Sequence, residues 1–253
     1  MNFKVMTFNL RIKAESDGIN IFDNRTANII NAIRTESPHL IGFQEVTDDA
    51  REMLRRELSP QYTLLGCGRK ENMRGEGVCI AYRNESFELV SYHTFWLSDT
   101  PTVAGSRYED IDQSTCARVT VRASLSPTGS SEVIHFFNTH LDHKGRQARV
   151  KGMSQIKTEI EKYGGSFILT GDMNDRPDSE CIGVALSIDG ATDTTADIKT
   201  TFHNFGRLTE DCKIDYIITN MSASGAYCVA DEHRDGIYIS DHYPVCATVS
   251  IEK

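Results

Sequence analysis

Phe167-Ile168-Leu169-Thr170-Gly171-Asp172-Met173-Asn174 decides how the rest of the chain is read. Phe167, Ile168 and Leu169 make a short apolar run of the kind that fills a buried strand. Gly171 ends it with backbone that turns sharply. Asp172 and Asn174 then stand two residues apart at the strand's C-terminal end. In an extended chain, residues two apart face the same side. One carboxylate and one amide therefore point into a common cleft, where open α/β sheets take their ligands. An isolated Gly-Asp-x-Asn reads more simply as a solvated turn. What lifts this one above a turn is the set of matching polar groups at other strand ends.

Upstream, residues 3–9 alternate and read as a strand that delivers Asn9, with Arg11 two residues on. A polar loop over 15–24 leads to Asn24, placed to cap a helix over about 25–36 whose stripe is Ile29, Ala32 and Ile33. Ser37-Pro38 ends that helix. Residues 39–43 form a buried-type strand that delivers Gln44-Glu45-Val46, and Thr47 caps a second helix with core positions Ala50, Leu54 and Leu58. Short strands at 62–67, 77–83, 87–91 and 95–97 read as an antiparallel meander, followed by a long polar loop over 99–115.

Strands at 117–123 and 133–139 flank a turn, and the second delivers Asn138-Thr139-His140. A helix over about 145–163 carries Met153, Ile156, Ile160 and Tyr163 on one face and stops at Gly164-Gly165. Beyond Asn174, Ser179 caps a short helix to about 187, and 189–212 is loop-like. Strands at 213–219, with Asp215, at 226–230 and at 245–251 complete the pattern, with a loop over 231–240 leading to Asp241-His242. Strand, helix, strand with polar ends thus occurs twice, from Asn9 to Glu45 and from His140 to Asp172. Two similar halves, packed as two sheets with helices outside, would bury both.

The chain has 253 residues, 39% hydrophobic and 25% charged, with a net charge of −9. That length suits one domain over 1–253, burying roughly 70–75% of its unfolded surface. The charge is the wrong sign for wrapping duplex nucleic acid. The seven cysteines are dispersed with no Cys-x-x-Cys pair, which fits buried thiols in a reducing compartment. The N-terminus enters a strand at once, with no signal-like or membrane-spanning run, so the expected location is cytoplasmic and no membrane partner is expected.

The strand ends together offer Asn9, Glu45, His140, Asp172, Asn174, Asp215, Asp241 and His242. Carboxylates so concentrated repel one another unless a cation lies among them. An oxygen-rich set without thiolates selects a hard ion, Mg²⁺ or Mn²⁺. Six blocks occur in order: Thr7-Phe8-Asn9, Gln44-Glu45-Val46, Asn138-Thr139-His140, Gly171-Asp172-Met173-Asn174, Ile214-Asp215-Tyr216-Ile217 and Ser240-Asp241-His242-Tyr243-Pro244-Val245. In these blocks the chain resembles the endonuclease/exonuclease/phosphatase superfamily over nearly its whole length.

The resemblance implies a four-layer α/β sandwich, two mixed sheets with helices on both outer faces, and metal-dependent hydrolysis of a phosphate ester. It implies metal ligation by Glu45, Asn9 and Asp241. It implies catalytic roles for His242, oriented by Asp215, for Asp172 with its partner Asn174, and for His140; the base is either Asp172 or His242. Arg11, Arg107, Arg118 and His203 are candidate substrate contacts. Arg11 stands where some endonucleases of the family carry an acid, which favours a phosphate contact there. Lys213-Ile214-Asp215-Tyr216 departs from the Cys-Asp-Arg block of the inositol-phosphatase branch. Residues 94–98 and 201–205 resemble a bacterial subgroup of metal-dependent hydrolases, with some likeness to deadenylases.

The expected activity is Mg²⁺-dependent hydrolysis of a small or single-stranded phosphate ester, with Mn²⁺ as substitute. The alternatives are a deadenylase-like nuclease and a catalytically silent binding protein. A lesser alternative comes from Asn138-x-His140-x-Asp142-His143, which mimics part of the His-x-His-x-Asp-His zinc motif of metallo-β-lactamase-type hydrolases but lacks its first histidine.

Overall fold

Two six-stranded sheets carry the polar strand ends. The computed structural model describes residues 1–231 and 234–251; residues 232 and 233 of the expected 231–240 loop, and 252 and 253 at the end, lie outside the described residues. The N-terminal third runs β1 (Asn2–Asn9), α1 (Phe22–Glu36), β2 (Leu40–Val46), α2 (Asp48–Leu58), β3 (Tyr62–Gly68) and β4 (Gly77–Arg83). The middle runs β5 (Phe87–Trp96), β6 (Val119–Pro127), β7 (Ile134–His140), α3 (Arg146–Tyr163), β8 (Ser166–Asp172), α4 (Glu180–Leu186), β9 (Thr192–Asp193) and β10 (Asp215–Thr219). The chain then adds β11 (Ser222–Cys228) and β12 (Val245–Ser250). The first sheet has the order β11-β12-β1-β2-β4-β3 and the second β5-β6-β7-β8-β10-β9.

Each sheet has one parallel pair near its centre, β1–β2 joined through α1 and β7–β8 joined through α3, flanked by antiparallel strands. The internal echo in the sequence is this repeated unit. Side-chain alternation then sorts the layers. Phe3 and Val5 face the second sheet, whereas Met6 and Phe8 meet Ile29 and Ile33 of α1 and Leu54 of α2. Ile168 and Ile217 face inward, whereas Phe167 and Leu169 meet Met153 and Ile156 of α3 and Ile182 of α4. The result is the expected four-layer sandwich.

The seam between the sheets is polar where it approaches the site. Asn138 Nδ2 donates to the carbonyls of Phe43 and Cys79 in the first sheet, at 2.8 and 2.9 Å. Its Oδ1 accepts from Gln44 Nε2 at 2.7 Å and Thr170 Oγ1 at 3.1 Å. Gly42 permits this approach, because a Cβ there would sit 2.1 Å from Thr170 Oγ1.

Local capping follows the sequence at Thr47, which accepts from Ala50 N, and at Ser179, which accepts from Ile182 N. Other details differ, among them β11, which starts before the expected 226–230 strand, and β9, which lies inside the expected 189–212 loop. Asn24 is not a cap: α1 begins at Phe22, a 3-10 turn over Glu15–Asn20 fills the expected loop, and Asn24 Nδ2 donates to Ile19 O. The buried Phe22 ring draws the helix start earlier. The expected strands at 87–91 and 95–97 are one strand, β5, which absorbs a bulge between Leu89 and Ser91. The long 99–115 loop is fastened, with Asp112 accepting from Gln147 N and Ala148 N where Gly145 offers α3 no side-chain cap. Among the described residues, no helix is long and apolar enough to cross a membrane.

Candidate active site

The inward-facing series of several strands runs off the core into one cleft. In β1, positions 3 and 5 are core and Asn9 follows in phase; in β8, Ile168 and Thr170 lead to Asp172. His140, Asp172 and Asp215 lie side by side in register across β7, β8 and β10. Asn9 crosses the seam, with Nδ2 donating to Asp172 Oδ2 at 3.0 Å and to Glu45 Oε1 at 3.2 Å.

Glu45 is the exception in phase. Ile41 and Phe43 face the outer helices, so simple alternation would send Glu45 outward. A register shift between Phe43 and Val46 and a left-handed φ of 57° turn it back toward Asn9. Its Oε2 accepts from Ile12 N at 2.8 Å. Arg11 and Asn174 also take positive φ, at 56° and 50°.

Asp172 Oδ2 is the point of convergence. His140 Nε2 lies 3.5 Å away and His242 Nε2 3.8 Å away. Asp172 Oδ1 accepts from Asn174 N at 2.9 Å, and the Asn174 side chain donates to Leu141 O at 3.0 Å. His242 Nδ1 meets Asp215 Oδ2 at 2.8 Å, so its other nitrogen is aimed at Asp172 and Asp241. Thr201 Oγ1 accepts from the Ile214 and Asp215 amides, and the Phe202 ring lies 4.9 Å from His242, which fixes the imidazole from behind.

Burial sets the charges. It pushes the Asp172 carboxyl up to about 7, helped by the neighbouring Asp215 charge. It raises Asp241 as well, with Glu45 adding repulsion. For His242 burial alone would lower the pKa, but Asp215, Asp241 and Asp172 hold the imidazole well above its ordinary value. His140 is driven well below its ordinary value by burial and by Arg118 and Arg69. A charged and a neutral imidazole thus flank one carboxyl that exchanges its proton near neutrality.

Two donor sets in the cleft have the chemistry for a cation. Asp172, Asp215 and His242 offer ligand atoms within 4.8 Å of one another. In that trio, however, the Asp215–His242 hydrogen bond already occupies one imidazole nitrogen and one carboxylate oxygen. Asn9, Glu45 and Asp241 instead offer oxygens alone, on the first-sheet side, with the Asp241 carboxyl raised by burial and by the neighbouring Glu45 charge. That set fits a hard divalent ion.

The remaining candidates are spread around this centre. Arg11 donates twice to Asp17, both at 3.0 Å, and its Nε lies 3.7 Å from Asp241 Oδ2. Arg118 is buried beside His140, with Nη2 2.9 Å from His143 Nδ1 and Nε 3.7 Å from Asp142 Oδ2. Arg107 lies farther out, exposed, with Nη1 on Ser114 O. His203 is buried between the Tyr238 and Tyr243 rings and reaches the site through its backbone, which donates to Asp241 O. Its ring belongs to the packing behind Asp241.

Asp142 accepts from Ser114, Lys144 and Gly145, and so organises a turn. His143 is engaged with Arg118. Neither joins His140 in a ligand group among the described residues, which removes the zinc reading.

Several contributors escaped the sequence. Arg25 is fully buried and donates to the carbonyls of Leu10, Arg11, Asn20 and Ile239, tying both loops that present Asn9 and Asp241. Arg69 pairs with Glu76 at 2.6 Å next to Arg118 and His140. Ser240 Oγ donates to Asn9 O at 2.7 Å. Only Ser240 lay in a recognisable block; the two arginines sit in stretches that read as an ordinary helix and an ordinary hairpin.

Comparison with known proteins places this architecture. Uncharacterized protein L388 of Acanthamoeba polyphaga mimivirus is 26% identical over 251 residues, 88% of this chain and 90% of that protein. The structure of an endonuclease/exonuclease/phosphatase from Bacteroides vulgatus matches with a TM-score of 0.91 at 25% identity, covering 100% of both chains. A Bacteroides thetaiotaomicron mannosyl-6-phosphatase matches with a TM-score of 0.84 at 25% identity, covering 98% of this chain and 100% of that one. The model of the Endonuclease/Exonuclease/phosphatase family matches residues 6–242. With strand ends, sheet order and family pattern in agreement over that span, the chain belongs to the endonuclease/exonuclease/phosphatase family of phosphate-ester hydrolases.

Proposed function

We propose that this chain is a Mg²⁺-dependent hydrolase of a small phosphate ester, with Mn²⁺ a competent substitute. The observation that carries this reading is the convergence of Asn9, His140 and His242 on Asp172 Oδ2. Asn9, Glu45 and Asp241 would hold the ion, which when bound polarises the phosphoryl oxygens and stabilises the leaving oxygen. Asp172, with a carboxyl poised near neutrality, takes the proton from the attacking water. His242, kept charged by Asp215, donates from Nε2 to a phosphoryl oxygen.

His140, neutral, and the second Asn174 N–H serve as further donors to phosphoryl oxygens. Arg11 and Arg118 supply positive charge at the rim and floor. The proton on Asp172 leaves with the product alcohol or passes to solvent, which restores the carboxylate.

The likeness to a mannosyl-6-phosphatase supports a sugar-sized monoester, and the net charge of −9 supports a small substrate over a long polyanion. A panel of a phosphomonoester, a phosphodiester and short single-stranded DNA and RNA, each with Mg²⁺, Mn²⁺ or EDTA, tests the reading. The expected result is metal-dependent release of phosphate from the monoester, lost in Glu45→Ala. Absence of turnover together with absence of metal binding by calorimetry would replace the enzyme with a binding protein.

A further inference from the structure

We propose a second anion subsite beside the reaction centre, so that the preferred phosphate ester carries another acidic group on its alcohol part. This rests on the hydrolase reading and names the substrate class for the same site. A cavity of about 560 Å³ opens between the β3–β4 hairpin and the 99–115 loop, lined by Arg69, Lys70, Arg107, Asn72 and Thr115. That volume suits a small molecule.

Arg69 belongs also to a narrow slot lined by Glu76, Arg118 and His140, and Ala117 of the cavity is the chain neighbour of Arg118 in the slot. Cavity and slot therefore share the Arg69 wall, and the slot, with room for about 10 Å³, ends at His140, 3.5 Å from Asp172. An ester whose phosphoryl group sits at Asp172 would pass its alcohol part outside this slot, over Arg69, toward Lys70 and Arg107.

The charges along this wall are compensated only in part. Arg118 is 4% exposed, and its Nε and Nη1 have no hydrogen-bond partner among the described residues. Lys70 and Arg107 make no ion pair among the described residues; Arg107 holds only the Ser114 carbonyl. Arg69 is paired with Glu76, and Arg118 Nε lies 3.7 Å from Asp142 Oδ2. Glu71 is the single acid on the cavity wall, against Lys70, Arg107 and the already paired Arg69. In a chain with a net charge of −9, such a local excess selects a small anion and still repels a long one.

The walls are held in place without a ligand. Trp96 Nε1 donates to Arg69 O at 2.7 Å, fixing the hairpin side. Gly105, with φ of 80°, packs so closely on Glu71 that a Cβ would lie 2.7 Å from its amide nitrogen, which fixes the loop side. A preformed cavity loses little entropy on binding.

Glucose 6-phosphate, glucose 1,6-bisphosphate and 6-phosphogluconate share one phosphoryl group and differ at C1, which is neutral, a phosphate or a carboxylate. Calorimetric binding and KM for the three are compared between the wild type and a Lys70→Met/Arg107→Met double variant, all with Mg²⁺. The wild type is expected to favour one or both acidic sugars over glucose 6-phosphate by about tenfold, two charge-assisted contacts at a partly exposed site. The double variant is expected to lose that ratio. Preference for the bisphosphate alone assigns a phosphate, and preference for the gluconate a carboxylate.

No preference in the wild type, or an equal preference in the variant, overturns the subsite. Hydrolysis of none of the three, with the binding ratio intact, would remove the hydrolase reading and leave the subsite standing.

Discussion

Asp215 and His242 show how much a single hydrogen bond at the strand ends controls. Asp215 Oδ2 meets His242 Nδ1 at 2.8 Å, selecting the tautomer and holding the charge. Asp215→Asn keeps the volume and removes the charge. It is expected to lower kcat by about a hundredfold or more while leaving the protein folded, as for other oriented catalytic imidazoles; unchanged kcat in steady-state assays would remove His242 from the mechanism. At the opposite end of the strands His39 works in the other direction. Its Nδ1 accepts the Lys4 N–H at 2.9 Å, which only an unprotonated nitrogen does, and burial with the nearby Arg83 lowers its pKa below 6.5. The folded state therefore binds fewer protons at His39 than the unfolded chain. Its stabilisation is complete above about 6.5 and is lost as pH falls through the lowered value. The wild-type Tm should drop more between pH 7.5 and 5.5 than that of His39→Gln, which cannot charge; parallel curves would contradict this. Both histidines were visible in the sequence, but only the pairing of each nitrogen separates a charged one from a neutral one.

At the scale of elements, the seam is the tightest point. Gly42→Ala would drive a Cβ into Thr170 Oγ1 and Asn138 Oδ1, pushing apart the sheets that the Asn138 amide joins. We expect a loss of about 2–3 kcal/mol, typical of overpacking, with a larger proportional loss of turnover. Urea denaturation with parallel kinetics measures both, and a neutral substitution would show that the sheets yield freely. The sequence announced most elements because their signals are local: the Thr47 and Ser179 caps, the Gly164 stop after α3, and the apolar runs of β2 and β8. It missed the start of α1, where burial of Phe22 overrode the capping residue Asn24. It placed Glu45 in the cleft through its family block, yet alternation would have turned it away, because a bulge and a positive φ leave no periodic trace. Arg25 and Arg69 were illegible for a different reason. Their partners are backbone carbonyls and a glutamate brought near only by the fold.

Across the whole molecule the two sheets divide the labour of the site. The first contributes Asn9 and Glu45, with Asp241 and His242 just before β12, and the second contributes His140, Asp172 and Asp215. Small-substrate binding in such a cleft should respond weakly to salt. Raising ionic strength from 50 to 200 mM should change KM by less than about tenfold, whereas six or more phosphate contacts would cost about a thousandfold. A steep response would favour the deadenylase-like alternative. The strand order carries a further consequence. The second sheet is one continuous stretch of chain, β5 to β10, but the first is closed by strands from both ends, with Met1 and Ile251 exchanging backbone hydrogen bonds. During synthesis the second sheet has all its strands while β1 still lacks its neighbour β12. Asp241 and His242 are the last site residues to leave the ribosome. The cleft is thus incomplete until β12 docks beside β1, and its two halves are joined late rather than strand by strand.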